Sequence, residues 1–278
     1  MSRHLIFIVL SFSITCSSAL AVENTEAEKQ LREKPPSFEE KKAGKEKLYF
    51  SSYEEYSWVN QGSRKGKWKL FTGNFAYSLN DALLPYIGVN AWERLSVYDK
   101  TIDAGVYIKF KDNSYLRTEM GFGTGLKYLY RYQTTLEYEH RLVKGYSANL
   151  GFRFLDYPSD GDNVYIFSPG LRHYFGNHYI SAFYNASKTE GRGIAQWGTL
   201  KGNFTVNDRL NVYLGTAVGQ RLYDIFELDA SKQFGYIGFS GIDFNVYKNF
   251  KLRLGGSYSM EKPAFRKRSL DFGGSVKF

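Results

Sequence analysis

The 278-residue sequence contains one cysteine and only four histidines. A single cysteine excludes a disulfide-stapled scaffold and every metal site built from several thiolates. After the first 21 residues there is no uninterrupted apolar run near the roughly 20 residues that a membrane-spanning helix needs. What is abundant is aromatic surface: 22 Phe, 23 Tyr and 4 Trp, beside 27 Gly. A chain with so much apolar area can offset the entropy of folding, which excludes disorder for most of its length. The mean hydropathy of −0.41 fits a soluble protein. It fits a membrane barrel equally well, because strands that alternate apolar and polar residues hide their hydrophobicity from any average.

The two ends of the chain differ from its body. Residues 1–21 read as a secretory signal, with Arg3 in a basic start, an apolar stretch over residues 5–14, and Ala19-Leu20-Ala21 as a small-residue site for cleavage after Ala21. Cys16 would be the acylated residue of a lipoprotein, but Ser13-Ile14-Thr15 ahead of it matches that processing poorly. Residues 22–47 interleave seven acids with seven bases around Pro35-Pro36, cannot build a core, and are expected to form a disordered or transiently helical periplasmic tether. The tether's charges cancel. Removing Arg3 from the formal +9 therefore leaves +8, all of it in residues 48–278. The chain closes on Leu270, Phe272, Gly274, Val276 and Phe278, alternating with Ser269, Asp271, Gly273 and Ser275. That segment is similar to the C-terminal signal by which the bacterial barrel-assembly machinery recognises its substrates.

From Leu48 onward the dominant period is two, the period of strands. Residues 127–142 place Tyr128, Tyr130, Tyr132, Thr134, Leu136, Tyr138, His140 and Leu142 on one face, and charged residues on most of the other. So long a two-faced strand suits a tilted membrane strand better than a soluble sandwich. The split recurs at Ile102–Phe110, Ala148–Phe154, Leu210–Val218 and Phe250–Met260, and no amphipathic helix is available to cover these apolar faces. The segments predict an all-β, antiparallel, up-and-down transmembrane barrel of about 14 strands over residues 48–278, with 12 as the alternative. Expected starts lie near Leu48, Lys67, Pro85, Ile102, Tyr115, Lys127, Tyr146, Val164, Tyr179, Ile194, Arg209, Phe234, Phe250 and Arg268. Short turns alternate with longer connections at residues 60–66, 158–163, 188–193, 220–233 and 261–267, the pattern of periplasmic turns and outside loops.

Catalytic signals are weak. His140, His173 and His178 fall beside the expected periplasmic turns, without the Ser and Asn or Asp pattern of barrel lipid enzymes, and suit the headgroup region. Glu137 and Glu139 lie two apart on one face, which suits acid–base work, but Arg131 and Arg141 beside them favour an ion-pair ladder. The expectation is a non-enzymatic chain with no cofactor and no metal site. A pI near 9.3 raises nucleic acid as a partner, yet no binding motif supports it. The positive charge has two expected addresses. The lumen carries Lys109, Arg117, Arg131, Arg141, Arg153, Lys201, Lys251, Arg253 and Lys277 against Asp103, Glu119, Glu137, Glu139, Asp243 and Asp271. Outside loops carry Arg64, Lys65, Lys188, Arg192, Lys262, Arg266 and Lys267, placed to meet lipopolysaccharide phosphates. A net basic lumen favours anions if open, whereas paired charges plug it, and 14 strands lie between filled and channel-forming barrels.

Residues 151–184, with Leu155-Asp156-Tyr157, Asp160-Gly161-Asp162, Ser168-Pro169-Gly170-Leu171 and Tyr174-Phe175-Gly176-Asn177, resemble the YaiO family of bacterial outer-membrane β-barrels. The resemblance continues through residues 198–219 to the last strand. It implies a surface-exposed, porin-like barrel of the Gram-negative cell envelope. Members of that family often carry helical tetratricopeptide-like repeats before the barrel, where this sequence has its charged tether. The resulting expectation is a narrow conduit or a surface and assembly platform for envelope material such as polysaccharide. Two alternatives stand beside it: a barrel enzyme acting on phospholipid or lipid A, and a soluble secreted β-protein.

Overall fold

The computed structural model describes residues 48–278, except residues 95, 111–113, 126–128, 144, 158–162, 191–192, 221–233 and 263–264 and the side chain of Arg64. The cleavage site at Ala21 and the 22–47 tether lie outside the described residues. Fourteen strands follow one another: β1 (Leu48–Gln61), β2 (Arg64–Tyr77), β3 (Leu83–Arg94), β4 (Val97–Lys109), β5 (Tyr115–Gly123), β6 (Tyr132–Arg141), β7 (Tyr146–Asp156), β8 (Asn163–Phe175), β9 (His178–Thr189), β10 (Gly193–Asn207), β11 (Leu210–Gln220), β12 (Phe234–Tyr247), β13 (Phe250–Lys262) and β14 (Phe265–Lys277). Each pairs antiparallel with its chain neighbours. β1 closes the barrel on β14 in a register running from Tyr49 opposite Lys277 to Gln61 opposite Phe265. At the seam, Leu48 and Phe278 exchange backbone hydrogen bonds of 3.3 and 2.9 Å. Closure leaves no strand edge unpaired, as lipid requires. The strand count of fourteen is settled.

Both ends of the barrel domain lie at one rim, called here the terminal end. The opposite rim, the loop end, carries the connections through residues 124–131, 157–162 and 221–233. At the terminal end the turns are built locally. Asn80 Oδ1 accepts from Ala82 N at 2.9 Å, and Asn207 Oδ1 accepts from Arg209 N and Leu210 N at 2.9 and 3.0 Å. Such side chains stand in for backbone acceptors in tight turns. Gly145 has φ +82, and a Cβ there would sit 2.5 Å from the Tyr174 carbonyl oxygen, so the position requires glycine.

The loop end differs from expectation. β1 and β2 join through residues 62–63 alone, and β13 and β14 through 263–264, so the charged stretches read as loops are extensions of the strands. Cations spaced two apart beyond an apolar core look like loop in sequence, yet they are normal strand residues at headgroup level. A second difference concerns residues 127–131, which are not part of β6. Leu129 and Tyr130 are adjacent, and both are fully buried, an arrangement no strand with alternating faces permits. Leu129 and Tyr130 instead turn into the barrel. Asp99 accepts from Leu129 N at 3.0 Å, and the Tyr130 hydroxyl donates to Asp103 at 2.8 Å.

Alternation holds along the strands: Leu200 is half exposed on the outer face of β10, while its neighbours Thr199 and Lys201 are buried within. The outward face is apolar around the whole circumference, with Ile87, Ile102, Met120, Leu136, Leu150, Ile180, Leu214, Leu254 and Leu270 among its members. Aromatics gather towards each rim: Phe50, Tyr77, Phe110, Tyr146, Phe175 and Tyr247 at the terminal end, Trp58, Tyr98, Phe122, Tyr165 and Phe234 at the loop end. These are the two interface girdles of a transmembrane barrel.

Candidate functional site

The interior is the first place to look for a site, and it is filled. Towards the loop end, Val59, Leu155, Val164, Ile166, Trp197, Ala217, Ile237 and Phe265 form one buried cluster with Tyr130 and Tyr157 from the connections, each at most 3% exposed. Water in an open pore would wet side chains that point inward, and it does not reach these. Trp68 packs on this cluster, its ring 5.8 Å from that of Phe265, and carries the Arg94 guanidinium 4.3 Å above it. Leu129 from the inturned segment packs with Leu70 and Trp92.

Below this layer, charged side chains are held in three networks. In the first, Arg117 on β5 bonds Glu119 at 2.7 Å and Glu137 on β6 at 3.2 Å, and its Nε donates to the Tyr86 oxygen at 3.0 Å. The Tyr86 hydroxyl passes its own hydrogen to Glu119 at 2.6 Å. Gln133 then links Glu119 to Asp103, and Asn90 donates to Asp103 at 2.6 Å. In the second, Glu139 on β6 takes hydrogen bonds from Arg172 on β8, and from Tyr115 and Tyr174 at 3.0 Å each. In the third, Arg253 on β13 clasps Asp243 on β12 through two bonds of 2.6 and 3.0 Å, with Lys251 3.6 Å from the same carboxylate. Tyr213 spans the adjacent space, its ring 4.7 Å from the Arg253 guanidinium and its hydroxyl donating to Asp271 at 3.2 Å. Gly241 and Gly255 make room for that ring, since a Cβ on either would collide with its hydroxyl. A separate pair near the loop end joins Lys267 and Glu55 at 2.9 Å, both nearly fully buried. Arg117, Glu119, Glu139, Arg172, Asp243, Arg253, Lys267 and Glu55 thus each have a partner of opposite sign, the condition for keeping a charge out of water, while Asp103 and Asp271 accept from the neutral donors Asn90 and Tyr213.

Of the residues expected in the lumen, Arg117, Glu119, Glu137, Glu139, Arg141, Arg153 and Arg253 point inward; Arg153 is buried and donates to Thr135 at 3.0 Å. Arg131 does not join them. It precedes β6, is 60% exposed, and pairs with the outward Asp156 at 2.7 Å. Of the residues expected in outside loops, Lys65 lies on β2, Lys188 on β9, Lys262 on β13 and Arg266 on β14, all exposed, and Arg64 opens β2. Lys267 points into the barrel, and Arg192 lies outside the described residues. Glu55, Arg94, Asp99, Arg172 and Glu261 line the interior without having been singled out in the sequence. Period two alone would have found Glu55, Arg94, Asp99 and Glu261, since each continues an inward row. Leu270, Phe272, Gly274, Val276 and Phe278 share the outward face of the chain end.

The three histidines sit at the terminal rim. His173 stacks on Tyr146 with ring centres 4.1 Å apart, and His178 Nδ1 accepts from Thr205 N at 3.0 Å. His140 Nδ1 lies 2.9 Å from the hydroxyl of Ser114, a proximity the sequence did not reveal; Ser114 is fully buried. Among the described residues no group of three His, Cys, Asp or Glu is arranged to hold a metal ion.

Comparison with solved structures finds the same architecture. A protein described as a bacterial polysaccharide outer membrane secretin superposes with a TM-score of 0.61 at 10% identity, over 85% of this chain and 100% of that one. The Acinetobacter baumannii outer membrane protein Omp33 superposes with a TM-score of 0.52 at 10% identity, over 84% and 99%. At such identities the likeness is one of fold. No curated protein sequence matches. The model of the YaiO membrane beta barrel domain matches residues 47–224, which takes in β1 to β11 with the first two lumen networks, and this outer-membrane barrel chain belongs to that family.

Proposed function

We propose that the protein is a non-enzymatic surface and assembly platform of the outer membrane, serving envelope material such as polysaccharide, rather than an open conduit. The observation that carries this reading is the filled interior: a buried apolar layer towards the loop end above three ion-pair networks. Such an interior stiffens the wall and sets buried apolar side chains across the way a solute would take. The outer surface then becomes the working surface. The fold likeness to a polysaccharide secretin is compatible with a polysaccharide-handling role. Export through a signal cleaved after Ala21, and recognition of the last strand by the barrel-assembly machinery, belong to the same proposal.

Planar-bilayer recording of the purified barrel tests it. The expected trace is silent, and the double variant Trp197→Ala/Phe265→Ala, which removes two large side chains from the apolar layer, is expected to introduce conductance steps. Stable open steps from the unaltered protein would refute the platform reading in favour of a conduit. The enzyme alternative would gain support if Ser114→Ala and His140→Ala each changed the phospholipid or lipid A profile of the host.

A further inference from the structure

The outward face of the barrel is mostly apolar, and its exposed cations are densest in one sector near the loop end, where β14, β1 and β2 lie side by side. On this face β1 presents Tyr56, Trp58 and Asn60. The registers set Arg268 and Lys67 on either side of Trp58, and Arg266 and Lys65 on either side of Asn60. Strand spacing puts the flanking backbones about 10 Å apart across β1, and the two rungs lie about 6.7 Å apart along it. Four exposed cations therefore stand at the corners of a small rectangle floored by an indole ring. Lys69 extends the β2 row, and Lys262 flanks it on β13.

Opposing charge in this sector is sparse. Glu93 is committed to Lys69 at 2.7 Å, and Glu54 lies one rung below Tyr56, whose hydroxyl is 3.5 Å from it. Among the described residues no carboxylate pairs with Lys65, Lys67, Arg266 or Arg268; Arg268 instead rests 5.9 Å from the Tyr258 ring centre. Elsewhere the loop half of the outward face carries Lys100, Lys188 and Arg131, the last already paired with Asp156. Among the described residues the cations are thus concentrated on a small part of the circumference rather than spread as a ring. Directly beneath them the surface is lipid-facing: Leu270 and Phe272 on β14, Phe71 and Phe75 on β2. A cation cluster set on an apolar wall matches an amphiphile whose phosphates sit at headgroup level and whose acyl chains run down the barrel.

We propose that this sector binds one lipopolysaccharide molecule through its lipid A phosphates, with Arg266, Arg268, Lys65 and Lys67 as the phosphate ligands and Trp58 packed against the glucosamine–acyl junction. The proposal rests on the outer-membrane placement with the loop end outward, and not on whether the lumen is sealed. Two phosphates on a disaccharide can engage both rungs, whereas the single phosphodiester of phosphatidylglycerol can engage one. Native mass spectrometry of the detergent-solubilised barrel with bisphosphorylated lipid A, monophosphorylated lipid A and phosphatidylglycerol reads the affinities directly. The bisphosphorylated form is expected to bind best. Arg266→Gln/Arg268→Gln/Lys65→Gln/Lys67→Gln is expected to weaken it by about tenfold to a hundredfold. Arg209→Gln/Lys248→Gln, at the terminal rim, is expected to leave it unchanged. Heat-modifiability gels check that the variants fold, and Arg268→Gln alone, expected to weaken binding several-fold, keeps the test open if the fourfold variant does not. Equal retention by the altered sector, no binding by the unaltered protein, or equal affinity for phosphatidylglycerol would each overturn the proposal. A barrel that binds lipid A and also conducts would sink only the platform reading.

Discussion

Replacing Arg117 by methionine keeps much of the side chain's length and removes its charge and its donors. Arg117 is 1% exposed and holds Glu119, itself buried, and Glu137, about a third exposed, together with the Tyr86 oxygen. Breaking a buried pair from one side costs about 3–5 kcal/mol, because the remaining charge stays out of water without its partner. Two features pull the value towards the lower figure: Glu119 keeps its bonds from Tyr86 and Gln133, and Glu137 keeps contact with solvent. The expected loss is about 3 kcal/mol, which at slopes of about 1–3 kcal/mol per molar urea lowers the unfolding midpoint by about 1–3 M. Urea titration in lipid vesicles, followed by tryptophan fluorescence, measures it. The double variant Arg117→Met/Glu119→Gln should recover more than half of the loss, since the stranded carboxylate is then neutral. If Arg117→Met costs less than about 1 kcal/mol, as an exposed ion pair would, the interior is wet and the argument for a filled lumen fails with it.

Leu200→Lys places a charge on the lipid face of β10, next to the inward Lys201, and is expected to cost about 2–4 kcal/mol at mid-depth; a near-neutral effect on vesicle folding would contradict the assignment of faces. Ser96 holds φ 69° in the short β3–β4 connection, so Ser96→Gly should raise stability by about 1 kcal/mol; a lower unfolding midpoint would show that the Ser96 side chain contributes more than the backbone strain costs.

Much of the barrel was legible because lipid imposes a simple rule on the residues it touches. In β4, β7, β11 and β13 the alternation is uninterrupted, and both faces follow from it. The rule weakened where its cause does. Lys65 continues the outward row of β2 above the hydrocarbon, where apolar residues are no longer required, so the sequence pattern puts the strand's start near Lys67 when it starts at Arg64. Lys267 was grouped with Lys262 and Arg266 by charge, yet its odd place in the row turns it inward onto Glu55. Residues 129–131 misled in the opposite direction: the alternation of the sequence continues there while Leu129 and Tyr130 leave the sheet, drawn inside by bonds to Asp99 and Asp103, far away in sequence. Arg131 was carried to the wrong side by the same extrapolation.

The seam between β1 and β14 has a bearing on the order of events in the chain's life. The last strand is made last, and until β1 meets it the whole backbone edge from Phe265 to Phe278 is open to another pairing partner. Once the thirteen paired positions and the Leu48–Phe278 bonds form, that edge is spent, although Phe272, Val276 and Phe278 still face outward. A factor that grips this strand by adding to its edge must therefore act before the ring is joined and is expelled by the joining itself. For such a factor, recognition would be self-cancelling: completion of the wall would also be the release step.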